Sequence, residues 1–133
     1  MAADRRENAR QTARDFELLA AENIVVVAPD QGLRRSLAFA LEVEGYSTEA
    51  YDALWKAELS SQRSLCTIVD DKILESEAQL AKLLHGSGRR VVLLVDGLTE
   101  RGEQGDAIVL TKPISGADLL GVVNGLAATA RGT

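Results

Sequence analysis

Cysteine is nearly absent from this chain of 133 residues: a single thiol, Cys66, has no partner for an internal disulfide. A disulfide-held scaffold is excluded, and a reducing compartment is expected. Basic charge is also in short supply. Fifteen Lys and Arg face twenty Asp and Glu, a formal net charge of -5, so the overall field repels nucleic acid and anionic membrane, and neither is expected as a partner. No apolar run approaches the roughly 18 residues of a membrane span, and MAADRRENARQTARDFELLAAEN at the start lacks the apolar centre of a secretory signal. These absences point to a cytoplasmic protein. There is one histidine, His85, where a helix pattern ends beside Gly86; such a place suits interaction with a helix C-terminus better than a metal or phosphohistidine role.

What the chain does have is 46% hydrophobic residues, enough for one core in one domain, and these fall in a regular alternation. IVVVA at 24–28 is a β-branched run of the buried parallel-strand kind. A helix is expected over about 33–44, with Leu33, Leu37 and Leu41 on one side and Gly45 as its stop. YSTEAY at 46–51 alternates like an edge strand, and Asp52 is expected to cap a short helix carrying Leu54, Trp55 and Leu59. LCTIVD at 65–70 is a third strand; a helix with Ala78, Leu80, Ala81 and Leu84 follows, then RVVLLV at 90–95 and AIVLT at 107–111. Pro113 ends the fifth strand, Ser115 with Asp118 forms a capping box, and Leu119, Val122, Val123, Leu126 and Ala130 stripe the last helix.

This order predicts an α/β, flavodoxin-like, doubly wound five-stranded parallel sheet, 2-1-3-4-5, with helices on both faces. The glycine-rich stretch from Asp96 to Asp106 holds one large apolar residue, Leu98, so the fourth helix is expected to be shortened or missing. Residues 1–22, with Ala9, Ala13, Phe16 and Ala20 on one helical face, are expected to form an extra N-terminal helix packed on the domain of residues 23–133 or on a second copy. In such sheets chemistry gathers at the carboxyl ends of the strands, which places Pro29, Asp30, Asp70, Asp71, Asp96 and Lys112 along one edge.

At this edge a resemblance becomes visible. IVVVAPDQGLRRSLAFALEVEGYSTEAY resembles the first strand, helix and second strand of response regulator receiver domains, with RRSLAFALEVEGY similar to the FixJ-type branch; LCTIVDDKIL resembles the strand ending in the phosphoacceptor aspartate, and VLTKPIS the lysine-proline element. The resemblance covers about residues 24–130 and implies two-component or phosphorelay signalling. It makes Asp70 the phosphoacceptor position and Lys112 the phosphate-contacting cation. The alternative for that pair is a purely structural ion pair. The family's two acidic Mg2+ ligands are replaced by Ala28 and Pro29, which weakens a metal site to Asp70 and, if the chain bends inward, Asp30; a cap on the first helix suits Asp30 better. An ungapped reading of VVLLV puts Val95 at the switch position, where the family has a hydroxyl. Asp71 points away from Asp70 in strand alternation, so a capping or solvated role is expected for it. GSGRR at 86–90 precedes a strand, so it is not a phosphate loop, and a nucleotide or flavin binder is disfavoured.

The expectation is therefore an atypical single-domain response regulator, a pseudo-receiver without enzymatic activity that works through protein-protein interaction. Its expected partner is a histidine kinase, another signalling protein or a second copy of the chain. The alternative is a working phosphoacceptor that takes a phosphoryl group on Asp70 from a histidine kinase. No DNA-binding segment is recognisable, so any transcriptional output is expected to be indirect.

Overall fold

In the computed structural model, residues 23–61, 63–78, 90–96 and 107–132 are described. The expected N-terminal helix over 1–22, most of the helix over 78–84 with His85, and the connection over 97–106 lie outside them.

Strand β1 (Asn23–Val27) is an inner strand, paired on both sides, and its β-branched side chains are buried on both faces. Helix α1 (Gln31–Val43) starts where Asp30 Oδ2 accepts the Leu33 amide at 2.8 Å, an N-cap that satisfies an otherwise unpaired helix donor. It ends at Gly45, whose φ of 98° lets the chain reverse without a Cβ clash, with Tyr46 N donating to Leu41 O at 3.2 Å. Leu37 and Leu41 are its buried stripe, while Phe39 and Val43 face outward.

The chain continues through β2 (Ser47–Tyr51), α2 (Leu54–Ser61), β3 (Cys66–Asp70), the short α3 (Lys72–Ser76), β4 (Val91–Asp96), β5 (Ile108–Lys112) and α4 (Gly116–Gly132). All strand pairs are parallel and the order is β2-β1-β3-β4-β5, as the alternation predicted. Parallel neighbours need crossover connections, and these deposit helices on both faces. On one face Ile24, Val26, Ile68, Val92 and Leu94 pack with Leu37 and Leu41 of α1 and Leu119, Val123 and Ala127 of α4. On the other, Val25, Val27, Val69, Leu93 and Val95 pack with Leu54 and Ala57 of α2 and Ile73 of α3. The Ser115 hydroxyl accepts the Asp118 amide at 3.2 Å, as the expected cap requires.

One local expectation is corrected. Asp52 does not cap α2: its carboxylate pairs with Lys56 at 2.8 Å. The first amides of α2 go to Glu77 instead, Leu54 N to Oε2 at 2.6 Å and Trp55 N to Oε1 at 3.1 Å. Strand β4 is buried from Val91 to Val95, while β5 shows apolar surface at Ile108 and Val109.

Candidate functional site

The carboxyl ends of β3 and β5 converge because the two strands flank β4. Asp70, the last residue of β3, is almost fully buried, and Lys112, the last of β5, reaches it: Nζ lies 2.7 Å from Asp70 Oδ1. The same oxygen accepts the Lys72 amide at 3.2 Å, which ties the acid to the first turn of α3. The Lys112-Pro113 peptide that follows is cis.

Asp71 corrects the expectation of a solvated group. It is 3% exposed, and its Oδ1 lies 3.3 Å from the same Lys112 ammonium. Strand alternation predicted divergence from Asp70, but Asp71 has left the strand: φ -59° and ψ -22° place it in the helical region and turn its carboxylate back toward Lys112. Its own amide donates to Leu94 O at 2.9 Å and its Oδ2 accepts the Asp96 amide at 3.3 Å, so the ends of β3 and β4 are fastened together. It makes no side-chain cap bond to α3. Burial of Lys112 favours its neutral form, but the hydrogen bond and charge of Asp70 and then of Asp71 outweigh this, and its pKa stands above the ordinary 10.5.

Val95 is also corrected. Register partners on parallel strands point to the same face. Asp70 is level with Leu94, and Lys112 with Asp96, whereas Val95 packs among Val91, Leu93 and Val69 on the opposite layer. The position that shares the face of Asp70 and Lys112 is Asp96, one residue further on, and it carries no hydroxyl either.

At the end of β1 the residues do not fit a divalent cation. Ala28 is fully buried and Pro29 contributes only backbone, and the carbonyl oxygens of both accept Arg34 Nη1 at 2.8 Å. Asp30 is exposed and committed to the α1 cap. Among the described residues no three metal-ligating side chains of the His, Cys, Asp or Glu type are gathered, whereas a hard cation wants several oxygen ligands at once. Arg34 and Glu77 were not anticipated. The signal for Arg34 is its place one turn into the helix that follows the strand end; for Glu77 no local pattern exists, because its targets lie more than twenty residues earlier in the chain.

Cys66 is buried in β3 and burial pushes its thiol up to about 12, with Arg90 acting weakly the other way. It is a packing residue. No helix of the described residues is long and apolar enough to cross a membrane.

Among known proteins, the chain is 55% identical over 115 residues to the Transcriptional regulator protein FixT of Rhizobium meliloti (strain 1021), an alignment spanning 86% of this chain and all of that protein. No family model matches it. Its fold is similar to a CheY-like response regulator receiver domain protein of Methanospirillum hungatei JF-1, at a TM-score of 0.65 and 18% identity over 84% of this chain and 97% of that one. It is likewise similar to full-length FixJ of B. japonicum, at a TM-score of 0.63 and 17% identity over 83% of this chain and 59% of that one. The five-stranded parallel sheet is thus a receiver fold, as the sequence resemblance implied.

Proposed function

From the premise that the chain belongs to the FixT family of transcriptional regulator proteins, we propose that it is a pseudo-receiver: a response-regulator signalling module that binds a protein partner without phosphoryl transfer to Asp70. The partner class is a histidine kinase or another signalling protein, and the compartment is the cytoplasm. One observation carries the reading. Asp70 and Asp71 already share the Lys112 ammonium, at 2.7 and 3.3 Å, while the end of β1 offers Ala28 and Pro29 where the metal-binding acids of a receiver would stand. Phosphoryl transfer to a carboxylate gathers anions and depends on fixed cations or metal to neutralise them. Here the cation is spent on two resident carboxylates.

Partner binding asks only for a suitable surface, and exposed Phe39, Val43 and Trp55 supply large apolar side chains of the kind that anchor interfaces. The test is binding of a purified sensor histidine kinase by the wild type and by Asp70→Asn, with and without acetyl phosphate and Mg2+. Equal affinity of both proteins, unchanged by the phosphoryl donor, is expected. Affinity that depends on the donor and vanishes in Asp70→Asn would instead make the chain a working phosphoacceptor.

A further inference from the structure

The contact that nothing in the site's chemistry requires is the one Glu77 makes. Its carboxylate accepts the Leu54 and Trp55 amides, the first two of α2, at 2.6 and 3.1 Å, and its own amide donates to Ile73 O at 2.8 Å, closing α3. A charged acceptor at a helix N-terminus fixes both the donors and the local dipole. Helix α3 is only five residues long, too short to be stable alone, so its position is set at its ends and by the buried Ile73. At its start Asp70 Oδ1 accepts the Lys72 amide at 3.2 Å and the Lys112 ammonium at 2.7 Å. One oxygen therefore holds both the site's cation and the beginning of α3, and Glu77 at the far end of α3 holds the beginning of α2.

Helix α2 carries Trp55, the chain's one tryptophan, 62% exposed. Lys56 Nζ stands 5.5 Å from the centroid of its ring and is itself paired with Asp52. The indole is thus oriented by its own helix, and that helix is anchored by Glu77. We propose that Glu77 is a positioning residue that couples the ionic state of Asp70 and Lys112 to the Trp55 surface of α2, with α3 as the rigid link. A well-packed element displaced at one end moves at the other. The proposal rests on the reading of the chain as an interaction module, for it names the surface whose presentation depends on the site.

The test follows the Leu54 and Trp55 amide resonances, their hydrogen exchange and Trp55 emission in the full chain. Four proteins are compared: wild type, Lys112→Gln, Glu77→Ala and the double variant. Glu77→Ala should lower exchange protection of the two amides on the order of tenfold, the loss that goes with a hydrogen bond to a charged group. Lys112→Gln should shift both amides and the Trp55 emission more than the amides of Ser47 and Thr48 at the opposite end of the sheet. In the Glu77→Ala background the same Lys112→Gln change should leave Trp55 emission where it was. If Glu77→Ala does not fold, Glu77→Gln, which keeps one acceptor oxygen, replaces it and should show a reduced response.

A Trp55 response to Lys112→Gln that is equally large with and without Glu77, or no response while Glu77 is intact, overturns the coupling. Either result leaves the binding comparison of wild type with Asp70→Asn untouched, so failure here and failure of the interaction reading are told apart.

Discussion

Replacing Lys112 by alanine is the most informative single change, because it removes the cation that lies against both Asp70 and Asp71, which are 1% and 3% exposed. Breaking a buried ion pair from one side costs about 3–5 kcal/mol, since the remaining charge is left without a partner in a poor solvent. The Lys112 side chain keeps 24% of its exposure and Asp70 retains the Lys72 amide, so the lower end applies, about 3 kcal/mol and a fall in Tm of about 10 °C. Lys112→Met separates this cause from lost packing, because it keeps most of the apolar stem and removes the ammonium. In both variants the buried carboxylates lose the same cation, so most of the deficit should persist in Lys112→Met. Urea denaturation of the three proteins at pH 7.5 measures it. A deficit under about 1 kcal/mol in Lys112→Ala, or one that Lys112→Met restores to the wild-type value, refutes the assignment of the cluster as a buried, charge-balanced unit.

Other outcomes are expected. Cys66 should resist iodoacetamide at pH 8 until denaturant is added, because its thiol is held up to about 12. A raised thiol pKa means that native stability is present below the ordinary 9.0 and falls between that value and about 12, as the unfolded thiol ionises and the native one cannot. Lys112, raised above 10.5, adds to the same alkaline loss, and Cys66→Val should lessen the fall in urea midpoint above pH 9 without abolishing it. Asp30→Ala should cost about 1 kcal/mol through the lost α1 cap, seen in thermal unfolding, and should leave the chain's response to added Mg2+ unaltered.

How far the sequence could be read is clearest residue by residue. Asp70 and Lys112 were legible because each ends an apolar strand, and strand order alone brings such ends to one edge. Helices α1 and α4 were legible through 3.6-residue spacing and caps three residues away. Val95 misled because counting along VVLLV does not reveal the register with β5, which pairs Asp96 with Lys112. Asp71 misled because alternation holds only inside a strand, and its backbone has already turned helical. Asp52 misled because a local capping rule was met by a competitor from elsewhere in the chain: Glu77 takes the α2 amides while Lys56 takes Asp52. Local patterns therefore gave the elements, and the contacts between elements decided which carboxylate does what.

Those contacts also bear on why a receiver fold would work without its phosphoryl chemistry. Asp70 and Asp71 both rely on Lys112, with Asp96 level beside it on the next strand, and Arg34 is held by the carbonyls of Ala28 and Pro29. A phosphoryl group adds about 1.5 to 2 negative charges. Two like unit charges about 5 Å apart repel by about 3 kcal/mol at an effective dielectric near 20. One such contact with Asp71, if Lys112 turned to the phosphoryl oxygens, would already offset much of what the lysine contributes, and restoring the balance would take the acidic metal site that Ala28 and Pro29 do not provide. In the resident arrangement Asp70 keeps both Lys112 and the start of α3 in place, and through Glu77 the start of α2. On the proposed reading, the site holds one shape for a partner in place of passing between two charge states.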